Sequence, residues 1–246
     1  MAEAIGVRGG YVVSLGGITL GRGWWEVRLD PQHYSATGGA RSSGLLRLVS
    51  AGEGEARASG TFEQGRPLPA RYDYTSRKSD KFDEVHLQLH DHAVVHSHVE
   101  PPQRPSHKRV PVEDSHRRGV FDPISAVLMP VPGSADAMGP QACARQLHVF
   151  DGRMRYDLRF SFKRQETVKT EQGYQGPATV CGLQFVPIAG HVPDRPAIKH
   201  LMQVEGMEIW LTPVAGTRLV VPWQVAIPTP FGTAKMQAER FEVSRD

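Results

Sequence analysis

Several stretches of the chain alternate apolar and polar residues with a period of two, which predicts half-buried strands. "YVVSLGGITLG" places Tyr11, Val13 and Leu15 on one face, then Gly16-Gly17, then Ile18 and Leu20. A two-residue Gly-Gly turn sets Leu15 opposite Ile18 and Val13 opposite Leu20. "QLHVFDGRMRYDLRFSF" predicts a second hairpin around Asp151-Gly152, with Val149 facing Met154 and Leu147 facing Tyr156. Its second arm sets Met154, Tyr156, Leu158, Phe160 and Phe162 against Arg155, Asp157, Arg159, Ser161 and Lys163. "LMQVEGMEIWL" predicts a third hairpin around Glu205-Gly206, with Met202, Val204, Met207, Ile209 and Leu211 on one side. Further strands are predicted at residues 55–62, 70–75, 178–185, 217–221 and 235–243.

Helical spacing is scarce. Leu45, Leu46, Leu48 and Val49 suggest a short helix over residues 43–49. In "FDPISAVLM", Asp122 is placed to cap a helix, Pro123 to start it and Phe121 to pack beside it, so Phe121, Asp122, Pro123 and Ser125 are read as a structural motif. Asp151 and Gly152 are read in the same way, as a turn. The Pro- and charge-rich stretch at about residues 100–120 reads as a long loop, and neither side of it shows a self-contained core. The expectation is one β domain over residues 1–246.

Composition supports that picture. Gly 25 and Pro 19 are too many for a helix-rich chain, since both weaken helix interiors. Lys plus Arg is 29 against 26 for Asp plus Glu, a net +3 with no basic cluster, which does not suggest nucleic-acid binding. His116, Arg117 and Arg118 read as part of a solvated loop. No apolar run approaches the ~18 residues of a membrane span. The opening "MAEAIGVRGGYVV" shows no signal-peptide pattern, so a mature form is expected.

The most conspicuous chemistry is "EVHLQLHDHAVVHSHVEPP", in which histidine recurs at 86, 90, 92, 96 and 98. Val85, Leu87 and Leu89 alternate with His86, Gln88 and His90. A three-residue turn, Asp91-His92-Ala93, would set Leu89 opposite Val95, Val85 opposite Val99, Gln88 opposite His96 and His86 opposite His98. The histidines then fall on the solvent face. His86, His96 and His98 form an alternative metal site, but a flat strand pair offers little to orient ligands and the spacing fits no zincin signature. No nucleophile elbow, phosphate loop, dinucleotide fingerprint or C-x-x-C occurs, so no catalytic residue and no cofactor are assigned. Trp24, Trp25, Tyr34, Trp210, Trp223 and Phe231 recur near strand ends. They suit either core packing or the lining of an apolar cavity. Cys143 and Cys181 suit one disulfide or two buried thiols.

"YVVSLGGITLGRG", "SSGLLRLVSAGEGEARASG", "VFDPISAVLMP", "CARQLHVFDGRMRYDL", "CGLQFVPIAGHVP" and "EIWLTPVAGTRLVVPWQVAIPTPFG" together resemble the bacterial domain-of-unknown-function family 3108 over nearly the whole chain. The resemblance implies export to the periplasm. It also implies a single curved antiparallel sheet forming a partly open β-barrel or β-spiral, lipoprotein-carrier-like, with one or two short helices. The implied compartment favours a Cys143–Cys181 disulfide. The family supplies no catalytic residues. The expected function is a non-enzymatic periplasmic protein of the cell envelope. It would bind a hydrophobic or lipid-like molecule in a barrel cavity through Trp24, Trp25, Trp210, Trp223 and Phe231. An envelope structural protein acting through protein partners is the first alternative. A metal-dependent enzyme using His86, His96 and His98 is the second.

Overall fold

The computed structural model describes residues 4–43, 52–79, 81–133 and 137–245. The strands are β1 (Ile5–Leu15), β2 (Ile18–Leu29), β3 (His33–Ser42), β4 (Gly52–Glu63), β5 (Arg66–Lys78), β6 (Lys81–His90), β7 (Ala93–Glu100), β8 (Met129–Pro130), β9 (Gln146–Phe150), β10 (Arg155–Lys169), β11 (Gln172–Gly173), β12 (Gln175–Ala189), β13 (Glu208–Pro213), β14 (Leu219–Thr229) and β15 (Gly232–Arg245). Helix α1 (Pro140–Cys143) is one turn and α2 (Pro196–Gln203) is two. Among the described residues the strands form one sheet in the order β7-β6-β5-β4-β3-β2-β1-β15-β14-β13-β12-β10-β9, with β8 beside β14 and β11 beside β15. Every pairing on that path is antiparallel. The sheet curls without its two edge strands, β7 and β9, pairing with each other.

The period-two pattern decides which face is buried. Val7, Val27, Ala36, Ala58, Tyr72 and Leu87 stand opposite one another across β1 to β6, and all are buried. The opposite face carries Glu26, Thr37, Arg57, Asp73, His86 and His98 in one cross-strand row. Large rings close over small residues in this core. A Cβ on Gly9 would lie 2.3 Å from Trp25 Nε1, so only glycine admits that indole. β12 to β14 are buried on both faces. Val180, Trp210 and Val221 pack with Val7 and Tyr34, while Cys181, Leu211 and Val220 pack under Met129, Val131 and Met138.

Several registers differ from expectation. Leu15 faces Ile18, but a bulge after Val13 sets Val13 opposite Gly21 rather than Leu20. In the Asp151 hairpin, Asp151 Oδ1 accepts the amides of Arg153 and Met154 at 2.8 and 2.7 Å. This Asx turn lengthens the loop, so Val149 faces Tyr156 and Leu147 faces Leu158. Alternation along β10 also breaks: Arg155 and Asp157 are buried, and Phe162, beside a bulge, is exposed. The third expected hairpin is absent. Pro196 starts α2, Ile198, Leu201 and Met202 follow at helical spacing, and only residues 208–213 form a strand. Thr217 precedes β14 rather than joining it. The FDPISA segment is a single 3₁₀ turn, Ser125–Val127, not an α-helix. The short helix expected at 43–49 falls, apart from Ser43, outside the described residues.

Cys143 and Cys181 are disulfide-bonded, with Cα atoms 5.6 Å apart and a sequence separation of 38. The bond fastens the short segment around α1 onto β12. Loop-closure entropy for that separation gives roughly 4 kcal/mol. The Cys143→Ser/Cys181→Ser double variant is expected to lose stability on that order, read as a lower denaturant midpoint. An unchanged midpoint would show that packing alone holds the segment.

Candidate functional site

The FDPISA segment lies at the centre of the fold. Val120 packs with Ala58, Leu87 and Phe150, Leu128 packs with Val7 and Tyr34, and Ile124 touches both groups. Asp122 and Ser125 are 0% exposed. Asp122 Oδ1 accepts the amides of Ile124 and Ser125 at 2.9 and 2.8 Å, so it caps the turn as its place before Pro123 suggested. Tyr34 Oη donates to Ser125 Oγ at 2.7 Å, tying the turn to β3. Asp122 Oδ2 is buried without a hydrogen-bond partner. Phe121 is half-buried, and its ring meets that of His92 edge-on with centroids 4.6 Å apart.

Burial pushes the Asp122 carboxyl up to about 6, against the hydrogen bonds that favour its charged form. Burial likewise raises Asp151. The raised value means that the folded state holds a proton that the unfolded chain releases near 3.8. Stability from this group is therefore full below about pH 4, falls as pH rises to about 6, and is constant above. The fall is about 3 kcal/mol, from about two units at 1.36 kcal/mol each. Asp122→Asn keeps an acceptor for the cap and removes the titration. Denaturant midpoints of the wild type and Asp122→Asn from pH 4 to 7 are expected to converge toward low pH and separate above pH 6, with the variant more stable. Parallel profiles would refute the assignment.

Asp157 lies on the face of β10 opposite Tyr156, as expected, yet it is 5% exposed rather than solvated. His148 Nδ1 is 2.9 Å away, Gln146 Nε2 donates at 2.5 Å, and Arg155 pairs with it. Burial would raise its pKa, but the bonds from His148 and Arg155 outweigh it and hold the carboxyl low. Both carboxylate oxygens are thus engaged.

The histidine hairpin keeps His86 opposite His98, Gln88 opposite His96 and Val85 opposite Val99. Its turn is the two residues Asp91-His92, both with positive φ, and a bulge leaves Val95 exposed while Val94 takes the place opposite Leu89. The His86 and His98 rings stack at 6.0 Å. His86 Nδ1 lies 2.6 Å from Asp73 Oδ1, and its Nε2 contacts Glu84. Those hydrogen bonds, Asp73 first, raise the His86 pKa. With both ring nitrogens engaged, His86 has no lone pair to offer a metal. Among the described residues, no group of three or more His, Cys, Asp or Glu is arranged to hold an ion. Metal analysis of protein purified without a His tag is expected to find well under one zinc, copper or nickel per chain. Stoichiometric metal lost on His98→Ala would reverse this.

The predicted aromatic set does not line one cavity. Trp210 and Trp223 are buried core residues, and Trp25 packs against the same cluster, its Nε1 donating to Tyr11 Oη at 2.8 Å. Trp210 Nε1 donates to Glu166 at 2.8 Å, and Arg164 lies over its ring. Trp24 and Phe231 are exposed, Phe231 at 80%. Trp24 borders a groove of about 710 Å³ on the polar face of β2 to β6. Arg22, Arg41, Glu53, Arg77 and Phe82 follow one another across the strands there. The sequence reading missed that row because its members are spread over sixty residues and meet only through the register.

The family model for protein of unknown function (DUF3108) matches residues 10–239. The chain belongs to that family. The search of the curated proteins found no match. Among solved structures, the fold is similar to the crystal structure of a β-barrel-like protein of domain of unknown function DUF1849 from Brucella abortus. That match has a TM-score of 0.50 and 9% identity and covers 99% of this chain and 98% of that one. DUF3108 thus has, in this member, a barrel-like fold made of one large open sheet. No helix among the described residues is long and apolar enough to cross a membrane.

Proposed function

We propose that this DUF3108 protein is a non-enzymatic component of the bacterial cell envelope, working in the periplasm through protein partners at its surface rather than by enclosing a lipid. The observation that carries this reading is the filled core. Val120, Asp122, Ser125, Ala126 and Leu128 occupy the space between the apolar clusters and are all buried there. A lipid enclosed in the core would have to displace this segment, including its bond to Tyr34 and the capped turn. The Cys143–Cys181 disulfide suits an oxidising compartment. The buried ionisable groups serve structure: Asp122 caps a turn, and Asp157 is held by His148, Arg155 and Gln146. For a surface partner, the groove beside Trp24 and Phe82 and the exposed Ile18 and Phe231 offer apolar contact area.

Native mass spectrometry after periplasmic expression tests the reading. The expected spectrum is the oxidised chain without phospholipid. One phospholipid retained per chain would overturn it in favour of the enclosed-lipid carrier.

A further inference from the structure

The seam between the unpaired edges holds a second, smaller pocket, of about 250 Å³. β7 contributes Val99, the loop after it Val112 and Arg117, and the β9–β10 hairpin Phe150 and Arg153. Val99, Val112 and Phe150 make one side apolar. They belong to, or pack against, the core cluster around Leu87.

Two guanidinium groups line this small space. Arg153 spends both terminal nitrogens on closing the seam: Nη1 donates to the Pro101 carbonyl at 2.9 Å, and Nη2 pairs with Asp83 and reaches the Glu100 carbonyl at 3.2 Å. Its Nε is buried with no partner. Arg117 lies over the Phe150 ring, 5.9 Å from the centroid. Its Nε is also buried with no partner, and among the described residues it has no ion pair. A guanidinium that holds no seam hydrogen bond, set beside an apolar wall, suits an acceptor carried on an apolar body. Carboxylate is the acceptor whose geometry fits a guanidinium fork.

Size narrows the class. The volume falls below the roughly 300–1,000 Å³ of sites for drug-sized ligands. It equals roughly eight waters at about 30 Å³ each. A two-chain lipid does not fit.

We propose that the seam pocket binds a small aliphatic monocarboxylate. Its charged end meets the guanidinium of Arg117, and its apolar end lies against Val99, Val112 and Phe150. Such a ligand touches both edges of the open sheet and ties them together. The site goes beyond the surface role proposed above and does not depend on it. A free fatty acid and the C-terminus of a peptide ending in an aliphatic residue share this chemistry.

Calorimetric titration of the full, oxidised chain tests it, with octanoate standing for the first source and N-acetylleucine for the second. Acetate and 1-octanol are controls that lack the tail or the charge. At least one of the two carboxylates is expected to bind once per chain, and the tighter one identifies the source. Both controls should bind at least tenfold more weakly. Arg117→Gln should weaken binding at least tenfold, Arg117→Lys less, and Val112→Trp should abolish it by filling the pocket. Circular dichroism verifies that each variant is folded. Arg117 is preferred to Arg153 because it makes none of the hydrogen bonds that close the seam. The proposal fails if neither carboxylate binds the folded wild type at millimolar concentration. It fails equally if octanol matches octanoate, or if Arg117→Gln and Val112→Trp leave the affinity unchanged.

Discussion

An antiparallel sheet that curls without closing leaves two edges with unpaired backbone groups and a core wider than its own side chains fill. The segment from Gly119 to Leu128 meets both demands. At the seam, the Val120 amide donates to the His92 carbonyl at 2.8 Å, the Phe121 amide to His148 at 2.8 Å, and Phe150 donates back to Phe121 at 2.9 Å. The segment thus touches the β6–β7 turn on one side and pairs in parallel with β9 on the other. A few residues later it enters the core, where Leu128 joins one apolar cluster and Ile124 packs against two. The requirement for a buried polar turn at that point explains Asp122. Without its side-chain oxygen, the amides of Ile124 and Ser125 would be buried donors needing another acceptor.

The rest of the seam is held by contacts of a different kind. Gly152, with positive φ, approaches β6 so closely that a Cβ there would lie 2.4 Å from Val85. Arg153, next in the chain, reaches Asp83 and the backbone beyond β7. The loop after β7 is pinned to the end of β12 by reciprocal bonds between Val110 and the Gly190–His191 backbone, at 2.8 and 2.9 Å. Closure is therefore distributed among a threaded segment, an arginine and a pinned loop. The last two also frame the small seam pocket.

Legibility from sequence followed burial on a single face. β4, β5 and β15 were readable at least in part because one side of each alternates. β3, "HYSATGGARS", was not, because its buried positions are Tyr34, Ala36 and Gly38. Small residues suffice there since Trp25 packs close to Gly38, whose Cβ would lie 3.3 Å from that of Trp25. β13 was misassigned into a hairpin because Ile209, Trp210 and Leu211 are all buried, so the strand has no alternation to bound it. Bulges after Val13 and Gln88 and the Asx turn at Asp151 shifted registers that two- and three-residue turns would have set otherwise. Of the candidate site residues, Asp122 and the paired cysteines stand where their local pattern or the family resemblance put them. The tryptophans scatter, since adjacent residues such as Trp24 and Trp25 must point to opposite faces.

By itself the sequence determined the β class, the capping role of Asp122 and the solvent side of the histidines. Each follows from local chemistry: period-two patterning, turn residues, and a carboxylate beside a proline. Tertiary structure alone decided that the core is filled by the chain's own loop, that His86 is held between Asp73 and Glu84, and that Arg117 and Arg153 share one pocket. Those outcomes depend on how a long sheet coils and where its edges come to rest. That is set by bulges, twist and contacts between residues far apart in sequence, which no local pattern encodes.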